Sequence, residues 1–303
     1  MAVSVNRKRN LTKVEDTFCE AFEGLFSRFL VTAKDEKWLK RALCQVTALP
    51  STVFGKSEGG IEKMLSGEET PDGRVGAIVQ VWVTAVKGSL ENLARELGWR
   101  IRQGVLVVPT TSVFNAWESE TKIDTMPIIG YCGDGYEFME EVYGRKMINI
   151  PIMMPEFRIE RYLGVGRGVM GGNVWFMCRS IDDGLEAGER AVDAIRKVEG
   201  VVTPFHVCAA GSKPETKYPE IGPTTNHRFC PTLRGKIPDS MVPENVESIP
   251  EIVINGVSLD AVKTAMKAAI DAVMDMEGVI KISAGNYGGK LGKYMIGLRE
   301  LFL

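Results

Sequence analysis

A glycine-rich segment near the end of the sequence could bind a polar or anionic ligand through its backbone. Residues Gly285 to Gly292 (GNYGGKLG) follow an apolar stretch that is typical of a buried strand. Glycines let backbone N–H groups approach a ligand closely. The segment does not match the phosphate loop of nucleotide hydrolases, because neither Ser nor Thr follows Lys290 and no glycine precedes Gly289 by five positions. It is therefore either a ligand-binding loop or a tight turn at an interface between lobes.

Two other glycine motifs are more typical of turns. Gly166 to Gly171 matches the G-x-G-x-x-G pattern of dinucleotide-binding proteins, but the apolar segment after it predicts a strand where that motif requires a helix. We therefore predict a glycine turn that joins strands, and no NAD site. Asp134, between Gly133 and Gly135, could be a catalytic carboxylate, although an Asp-Gly pair more often forms a hairpin turn.

The cysteines and histidines do not predict a metal or redox centre. No two of the six cysteines form a C-x-x-C pair, which zinc and redox motifs need. We expect most of them to be buried thiols, since free cysteine behaves as a small hydrophobe. The only histidines are His206 and His227, so a metal hydrolase would lack its usual ligands.

Composition and charge exclude several classes of protein. The chain has 303 residues, of which 45% are hydrophobic and 25% charged, with 37 Lys and Arg against 39 Asp and Glu. A net charge of −2 supplies no basic field for a nucleic-acid backbone. No apolar run approaches the roughly 20 residues of a membrane helix. With charged residues at Arg7 to Arg9 instead of a signal sequence, we expect a cytoplasmic protein without membrane or nucleic-acid partners.

Apolar periodicity predicts four strand–helix–strand units. In the first half, the predicted strands are Ser27 to Ala33, Ser51 to Phe54, Ala77 to Ala85 and Val105 to Val108, with helices ending near Gln45 and Gly104. In the second half they are Val174 to Cys178, Val201 to Phe205, Glu251 to Asn255 and Val279 to Ser283. The helices between them begin near Asp182 and Ser258 and end at Gly200 and Gly278.

The order of these units predicts an α+β fold with two ferredoxin-like (split βαβ) lobes, residues 1–150 and 151–303. The right-handed crossover rule puts both helices of a lobe on one face of its sheet. No predicted helix remains for the other face. We therefore expect packing between lobes or subunits to cover it, which favours a homo-oligomer such as a dimer or tetramer.

Segments along essentially the whole chain resemble the formylmethanofuran:tetrahydromethanopterin formyltransferases of one-carbon metabolism. The segments that carry the resemblance are Glu15 to Phe18 (EDTF), Glu20 to Phe22 (EAF), Glu69 to Arg74 (ETPDGR), Gly133 to Tyr136 (GDGY), Gly171 to Asn173 (GGN), Ala191 to Ile195 (AVDAI), Thr203 to Phe205 (TPF), Thr225-Asn226, Cys230-Pro231, Glu251 to Gly256 (EIVING) and Lys281 to Gly292 (KISAGNYGGKLG). The last segment is the most specific, and the family's two ferredoxin-like lobes agree with the fold predicted above.

The resemblance implies formyl transfer from an N-formylmethanofuran to N5 of tetrahydromethanopterin, with both C1 carriers as substrates and no metal or tightly bound cofactor. The nitrogen would attack the formyl carbon to give a tetrahedral oxyanion, which needs an acid/base group for the two amines. The family's glutamate in that role corresponds to Glu251, whose neighbours Ile249, Pro250 and Ile252 are apolar enough to raise its pKa. Without the family, Glu251 would be interpreted as an exposed residue at the start of a strand.

The resemblance also implies where the substrates bind. Both substrates carry negative charges on their tails, and the cationic candidates near the matching segments are Lys213, Arg228, Lys281 and Lys290. The substrate-binding residues that it suggests are Gly211, Ser212, Lys213, Asn226, Asn286, Tyr287 and Lys290.

The sequence departs from the family between Thr203 and Gly211. His206-Val207-Cys208 replaces the family's P-G-G turn, and the connection is shorter. A side chain at such a glycine position could narrow the site, so the chain could be a divergent paralogue with altered or lost activity. Three hypotheses follow: a formyltransferase, a pterin-binding or assembly subunit of a formyl-processing complex, or a structural tetramer component without a ligand.

Overall fold

The computed structural model describes residues 13–48 and 56–302. The elements of the first half are β1 (Lys13–Val14), β2 (Phe18–Thr32), α1 (Glu36–Val46), β3 (Glu58–Leu65), β4 (Gly76–Thr84), α2 (Ser89–Ile101), β5 (Ser112–Asn115), β6 (Lys122–Asp124), α3 (Thr125–Ile128), β7 (Phe138–Val142) and β8 (Arg145–Pro151). Those of the second half are β9 (Glu156–Glu160), β10 (Tyr162–Cys178), α4 (Ile181–Ile195), β11 (Val201–Val202), β12 (Ser212–Lys213), β13 (Thr224–Thr225), β14 (Glu251–Gly256), α5 (Leu259–Asp271), β15 (Val279–Ser283) and β16 (Tyr294–Gly297). The predicted strand Ser51 to Phe54 and the basic segment Arg7 to Arg9 lie outside the described residues.

A single large sheet dominates the fold. Within the described residues it contains 14 strands, most of them antiparallel, while β12 and β13 pair separately. The long strands β2 and β10 lie beside each other at its centre, paired from Ser27 with Val165 to Phe22 with Met170. The architecture is therefore a mixed sheet with helices packed on it, as the predicted α+β class requires.

The helices cover one face of the sheet in each half. In the first half the strands lie in the order β3-β4-β2-β5, and Phe29 and Val79 face the apolar side of α1 and α2. In the second half the order is β11-β14-β10-β15, and α4 and α5 pack together on Phe176 and Ile254. Helix α5 begins next to Ser258 as predicted, and the Ser258 side chain caps it by accepting from the N–H of Ala261.

The opposite face in the second half is covered by the chain itself. Met177 of β10 packs against Val242 and Val246, with Phe229 and Ile249 around them. All four covering residues belong to the long connection between β11 and β14. The expectation that another lobe or subunit covers this face is therefore wrong for the part around Met177, whereas Met170 and Val202 pack against Phe26 and Trp82 of the first half as expected. A connection without apolar periodicity gave no sign of this role in the sequence.

The two central strands run from one hydrophobic core into the other. Cys19 and Ala21 of β2 lie in the core of the second half, whereas Phe29 of the same strand lies in that of the first. Leu163 of β10 likewise belongs to the first core and Val174 to the second. A division of the chain at residue 150 stays a prediction.

Three local predictions were wrong. Val105 to Val108 is not a strand, because α2 continues into a π-helical turn at Arg102–Leu106 and the next strand is β5. The strand predicted from Val201 to Phe205 ends at Val202. Helix α4 begins at Ile181, beside the predicted start, but it ends at Ile195, well before the predicted end at Gly200.

The G-x-G-x-x-G motif lies inside β10 and joins no strands. A Cβ at Gly166 would lie 2.3 Å from the Phe26 ring, and one at Gly168 would lie 2.7 Å from the Trp82 ring. These glycines therefore let β10 pass close to two aromatic rings. Gly171, at φ +81°, lies where the pairing of β10 with β14 changes register, which is a bulge. No helix of the described part of the chain is long and apolar enough to cross a membrane.

Candidate active site

A row of polar side chains crosses the sheet on the face opposite α4 and α5. Trp175 of β10 lies in register with Glu251 of β14 on one side and with Ser283 of β15 on the other. The backbone of Glu251 pairs in turn with Cys208, with N–H to O=C distances of 2.8 and 2.9 Å. Directly opposed residues share a face of a sheet, so these residues form one surface.

Alternation along the strands explains why these side chains lie on this face. Ile252 and Ile254 of β14 point into the core beneath the helices, which turns Glu251 to the other side. Val174 and Phe176 flank Trp175 in the same way on β10. The apolar residues thus fix the orientation of the polar ones.

Burial and hydrogen bonding act in opposite directions on the Glu251 carboxyl. Burial raises its pKa, while hydrogen bonds from the Trp175 indole and the Cys208 thiol lower it, and the net shift is upward. The indole Nε1 donates to Oε1 over 2.9 Å. The pKa of the Cys208 thiol is also raised, by burial and by the nearby Glu251 charge. The site therefore stabilises the neutral carboxyl group more than water does, which suits a group that exchanges a proton.

Two cavities meet at Trp175. The smaller, of about 350 Å³, contains Glu251 and is lined mainly by apolar groups. The larger, of about 570 Å³, contains the side chains of Lys213, Arg228 and Lys281. Trp175, Asn226 and Phe229 line both cavities, and the Phe229 ring stands edge-on to Trp175 at a centroid distance of 4.8 Å.

Most residues suggested by the family resemblance lie at these cavities. Gly211 lines the smaller one, Asn226 lines both, and Lys213, Asn286 and Tyr287 line the larger. Ser212 is exposed and lines neither cavity, although its side chain is near enough to the Tyr287 hydroxyl to lower the pKa of that group against the effect of burial. Lys290 is exposed and lines neither cavity, so the structure does not bring it to the site.

Asn286 mainly holds its own loop. Its side-chain nitrogen donates to the carbonyl of Phe18 over 3.1 Å, and its oxygen accepts from the N–H of Gly288 over 3.1 Å. The amide therefore anchors the glycine-rich loop to β2. Both polar atoms of the Asn286 amide are therefore used within the protein, by β2 and by the loop itself.

Acidic partners accompany the cations of the larger cavity. Glu15 accepts from Nζ of Lys281 over 3.0 Å and from Oγ of Ser283 over 2.6 Å. Burial raises the pKa of Glu15, but these partners outweigh it and the net shift is downward. Arg228 donates to Asp239 over 3.0 Å. The wall of the larger cavity therefore contains cations that are positioned by ion pairs, and Lys213 is a further cation there.

Sequence reasoning did not identify Trp175 or Phe229 as site residues. Trp175 lies within an apolar strand. Alternation along the strand shows only that Trp175 and its neighbour Val174 point to different faces of the sheet. Phe229 belongs to the connection without periodicity. The signal that could have found Trp175 is its position directly opposite Glu251 once the two strands are paired.

The cysteine prediction was wrong in part. Cys19 and Cys178 are buried, whereas Cys44 and Cys132 are exposed and Cys208 and Cys230 are half-buried. Burial raises the pKa of Cys19 to about 11 and that of Cys178 to about 12.

Asp134 is the left-handed residue that ends a 3-10 turn, at φ +54°, and lines neither cavity. Among residues 13–48 and 56–302, no group of three or more His, Cys, Asp or Glu side chains could hold a metal ion.

Family models match both halves of the chain. The model described as formylmethanofuran-tetrahydromethanopterin formyltransferase matches residues 8–152, and a model for the proximal lobe of the same family matches residues 155–301. The chain belongs to this family. The solved structure of the formyltransferase from Methanosarcina barkeri is similar to this chain, with a TM-score of 0.89 and 41% sequence identity. The match covers 96% of this chain and 98% of that one.

Two relatives from one archaeon differ in their similarity to this member of the formyltransferase family. The formyltransferase-like protein of Archaeoglobus fulgidus is 60% identical over 96% of this chain and 97% of its own length. The formyltransferase of the same organism is 42% identical over 97% of this chain and 100% of its own length. The chain is thus more similar to the formyltransferase-like protein than to the formyltransferase of the same organism.

Proposed function

We propose that this protein transfers a formyl group from an N-formyl amine of the methanofuran type to N5 of a reduced pterin of the tetrahydromethanopterin type. Family membership supports this pair of substrates, because both compounds appear in the family's description. The observation that carries the proposal is the half-buried Glu251 carboxyl, held by Trp175 where two cavities adjoin.

The two cavities support a reaction in which both substrates are bound at once. The reacting atoms would meet near the shared wall of Trp175, Asn226 and Phe229. Holding two reactants in place removes much of the entropic barrier to a bimolecular step. Asn226 lines both cavities, and its side-chain amide would donate to the formyl oxygen as negative charge develops there.

Glu251 would exchange one proton in each turnover. N5 attacks the formyl carbon, a C–N bond forms, and the formyl oxygen becomes an oxyanion. The oxyanion then re-forms the C=O bond and expels the donor amine, which the neutral Glu251 carboxyl protonates as the C–N bond breaks. The resulting carboxylate takes the proton that N5 loses. The carboxyl is thereby restored, and the balance requires no metal or bound prosthetic group.

The larger cavity suits the charged part of a substrate. Lys213, Arg228 and Lys281 offer charge-assisted hydrogen bonds to carboxylate or phosphate groups. The smaller cavity is lined by apolar groups such as Ile249 and Pro250 and would take the uncharged reacting end. We do not extend this role to the exposed Lys290.

We also propose that the two halves are ferredoxin-like lobes and that the protein is a cytoplasmic homo-oligomer. The strand orders β3-β4-β2-β5 and β11-β14-β10-β15 support the first point. Exposed apolar side chains at Phe138 and Met139 of the edge strand β7 support an interface between copies. Light scattering on the purified protein would measure its mass in solution.

A second candidate function is that of a pterin-binding or assembly subunit with altered or lost catalysis. It is favoured by the greater similarity of the chain to a formyltransferase-like protein than to the formyltransferase of the same organism. The segment His206 to Cys208 adjoins Glu251 and would carry such a change, since His206 holds φ at +59°.

A formyl-transfer assay with formylmethanofuran and tetrahydromethanopterin separates these functions, with pterin binding followed in parallel by fluorescence. The proposal predicts saturable transfer that depends on both substrates. Pterin binding without transfer would favour the second candidate. Neither binding nor transfer would contradict both and leave a structural component without a ligand.

A further inference from the structure

The glycine-rich loop beside the larger cavity encloses a carboxylate of the protein itself. Glu20 of β2 is 1% exposed, and its two oxygens accept four backbone N–H groups of the loop. Oε1 accepts from Tyr287 over 2.6 Å and from Gly289 over 2.5 Å. Oε2 accepts from Leu291 over 2.9 Å and from Gly292 over 2.7 Å. The backbone donors that resemble a phosphate-binding loop are thus already occupied by an internal anion.

The conformation of the loop depends on its glycines. Gly288 and Gly289 hold φ at +71° and +73°, which side chains adopt only with strain. A Cβ at Gly292 would lie 2.6 Å from Cβ of Glu20 and 3.0 Å from the backbone nitrogen of Ala21. The glycines therefore allow the chain to wrap around the carboxylate at close range.

The same loop supports the indole that binds Glu251. Asn173 holds the start of the loop, accepting from the N–H of Gly285 over 2.7 Å and donating to its carbonyl over 3.2 Å. Gly285 lies directly on Trp175, since a Cβ there would be 2.6 Å from Cζ2 of the ring. Further along, Tyr287 forms the wall of the larger cavity. The loop thus joins the carboxylate of Glu20 to both the cavity wall and Trp175.

We propose that Glu20 is a positioning residue of the transferase site, whose carboxylate fixes the glycine-rich loop and through it the cavity wall at Tyr287 and the ring of Trp175. The charge is essential to this role. A carboxylate accepts at both oxygens, whereas an amide in its place would point N–H groups at two of the four backbone donors. Burial raises the pKa of Glu20, but the four N–H groups outweigh it and lower the pKa, so the carboxyl is ionised at neutral pH.

The test compares Glu20→Gln with Glu23→Gln, a charge loss on the same strand. Glu23 forms an ion pair with Lys293 over 3.0 Å and lines neither cavity. Hydrogen exchange of the loop amides is measured first, since it requires no activity. We expect exchange in residues 285–292 to quicken in Glu20→Gln and to stay unchanged in Glu23→Gln. Unchanged exchange in both variants would overturn the inference.

The kinetic part of the test rests on the proposed function. In Glu20→Gln we expect kcat/KM to fall about 10- to 100-fold, with KM raised for one substrate, because a displaced wall misplaces the reactants. A fall in kcat/KM with both KM values unchanged would overturn the inference. If the wild type transfers no formyl group, the proposed function fails, while the exchange result still decides the inference.

Chemical rescue separates loss of the anion from general damage. Glu20→Ala leaves the four N–H groups open, and acetate added to the buffer can occupy them. We expect acetate to slow the loop exchange of Glu20→Ala but not that of Glu20→Gln, where the amide fills the space. Faster loop exchange in Glu20→Ala that acetate leaves unchanged would overturn the role of the charge. Should Glu20→Ala fail to fold, Gly292→Ala, which displaces the loop from the same carboxylate, is expected to reproduce the exchange and KM changes.

Discussion

Nε1 of Trp175 and Oε1 of Glu251 are 2.9 Å apart, and this hydrogen bond joins β10 to the first residue of β14. The donor favours the ionised carboxyl, whereas burial favours the neutral one and outweighs it. The protonation of Glu251 therefore reflects a balance between two strands that only the folded chain brings together.

Replacing Trp175 by Phe should raise the pKa of Glu251 further. The variant keeps an aromatic ring against Phe229 but removes the hydrogen bond that stabilises the carboxylate. Glu251 then stays protonated to higher pH, so the alkaline limb of the kcat profile moves to higher pH. The matched control is Trp99→Phe at an exposed position of α2. An alkaline limb that does not move would contradict this balance.

A methyl group at Gly285 should disturb the site through Trp175. The Cβ of Gly285→Ala would lie 2.6 Å from the indole, and we expect the ring to move and its hydrogen bond to Glu251 to lengthen. We expect kcat to fall about 100-fold, as a displacement of roughly 1 Å can cause. Gly144→Ala serves as the control. The positive φ of Gly144 strains any side chain there, but the new Cβ would have no atom within 4 Å. Equal activities of the two variants would show that contact with the indole is unimportant.

The ion pair between Arg28 and Glu62 should contribute strongly to stability. Nε and Oε2 are 2.7 Å apart, and the side chains are 13% and 1% exposed. Glu62→Ala leaves Arg28 without its main partner, so the free energy of unfolding should fall by about 3–5 kcal/mol in urea titrations. The exposed pair Glu36–Lys40 provides the control, and Glu36→Ala should cost less than about 0.5 kcal/mol. A similar loss in both variants would contradict the burial argument.

Glu62 should also make the protein sensitive to acid. Burial raises its pKa, but the hydrogen bond and charge of Arg28 outweigh burial and bring it below its ordinary value of 4.5. Because the pKa in the folded state is depressed, the stabilisation is complete above about pH 4.5 and is lost as the pH falls through the folded value. The unfolding free energy of Glu62→Gln should thus decline less steeply in this range. If the unfolding free energy of Glu62→Gln declined as steeply as that of the wild type, Glu62 would not be the source of the acid sensitivity.

The sequence predicted the regular elements better than the site that they carry. Helix α5 was predictable because Ser258 and a regular apolar stripe both follow local rules. The run at Val105 was misassigned because a short apolar segment fits a strand or a helix end equally well. Glu251 was predicted only through its resemblance to a known motif, since its surroundings depend on the connection that folds over it.

Contacts between distant residues explain what sequence patterns missed. Glu20 and Gly292 are 272 positions apart, and no local rule pairs a carboxylate on one strand with a glycine loop at the other end of the chain. Cys208 approaches Glu251 only because the segment after β11 returns to pair with β14. Such pairings follow from the order of strands in the sheet, which periodicity alone does not give.

The turnover rate of Glu251→Gln tests the central claim most directly. Gln keeps the shape of the side chain and can still accept from Trp175, but it has no proton to transfer. The account predicts that kcat falls about 10²- to 10⁴-fold while the affinity for both substrates changes little, with Glu186→Gln on the exposed face of α4 at the wild-type rate. An unchanged kcat in Glu251→Gln, or weaker binding with kcat preserved at saturation, would contradict the assignment of Glu251 as the acid and base of the reaction.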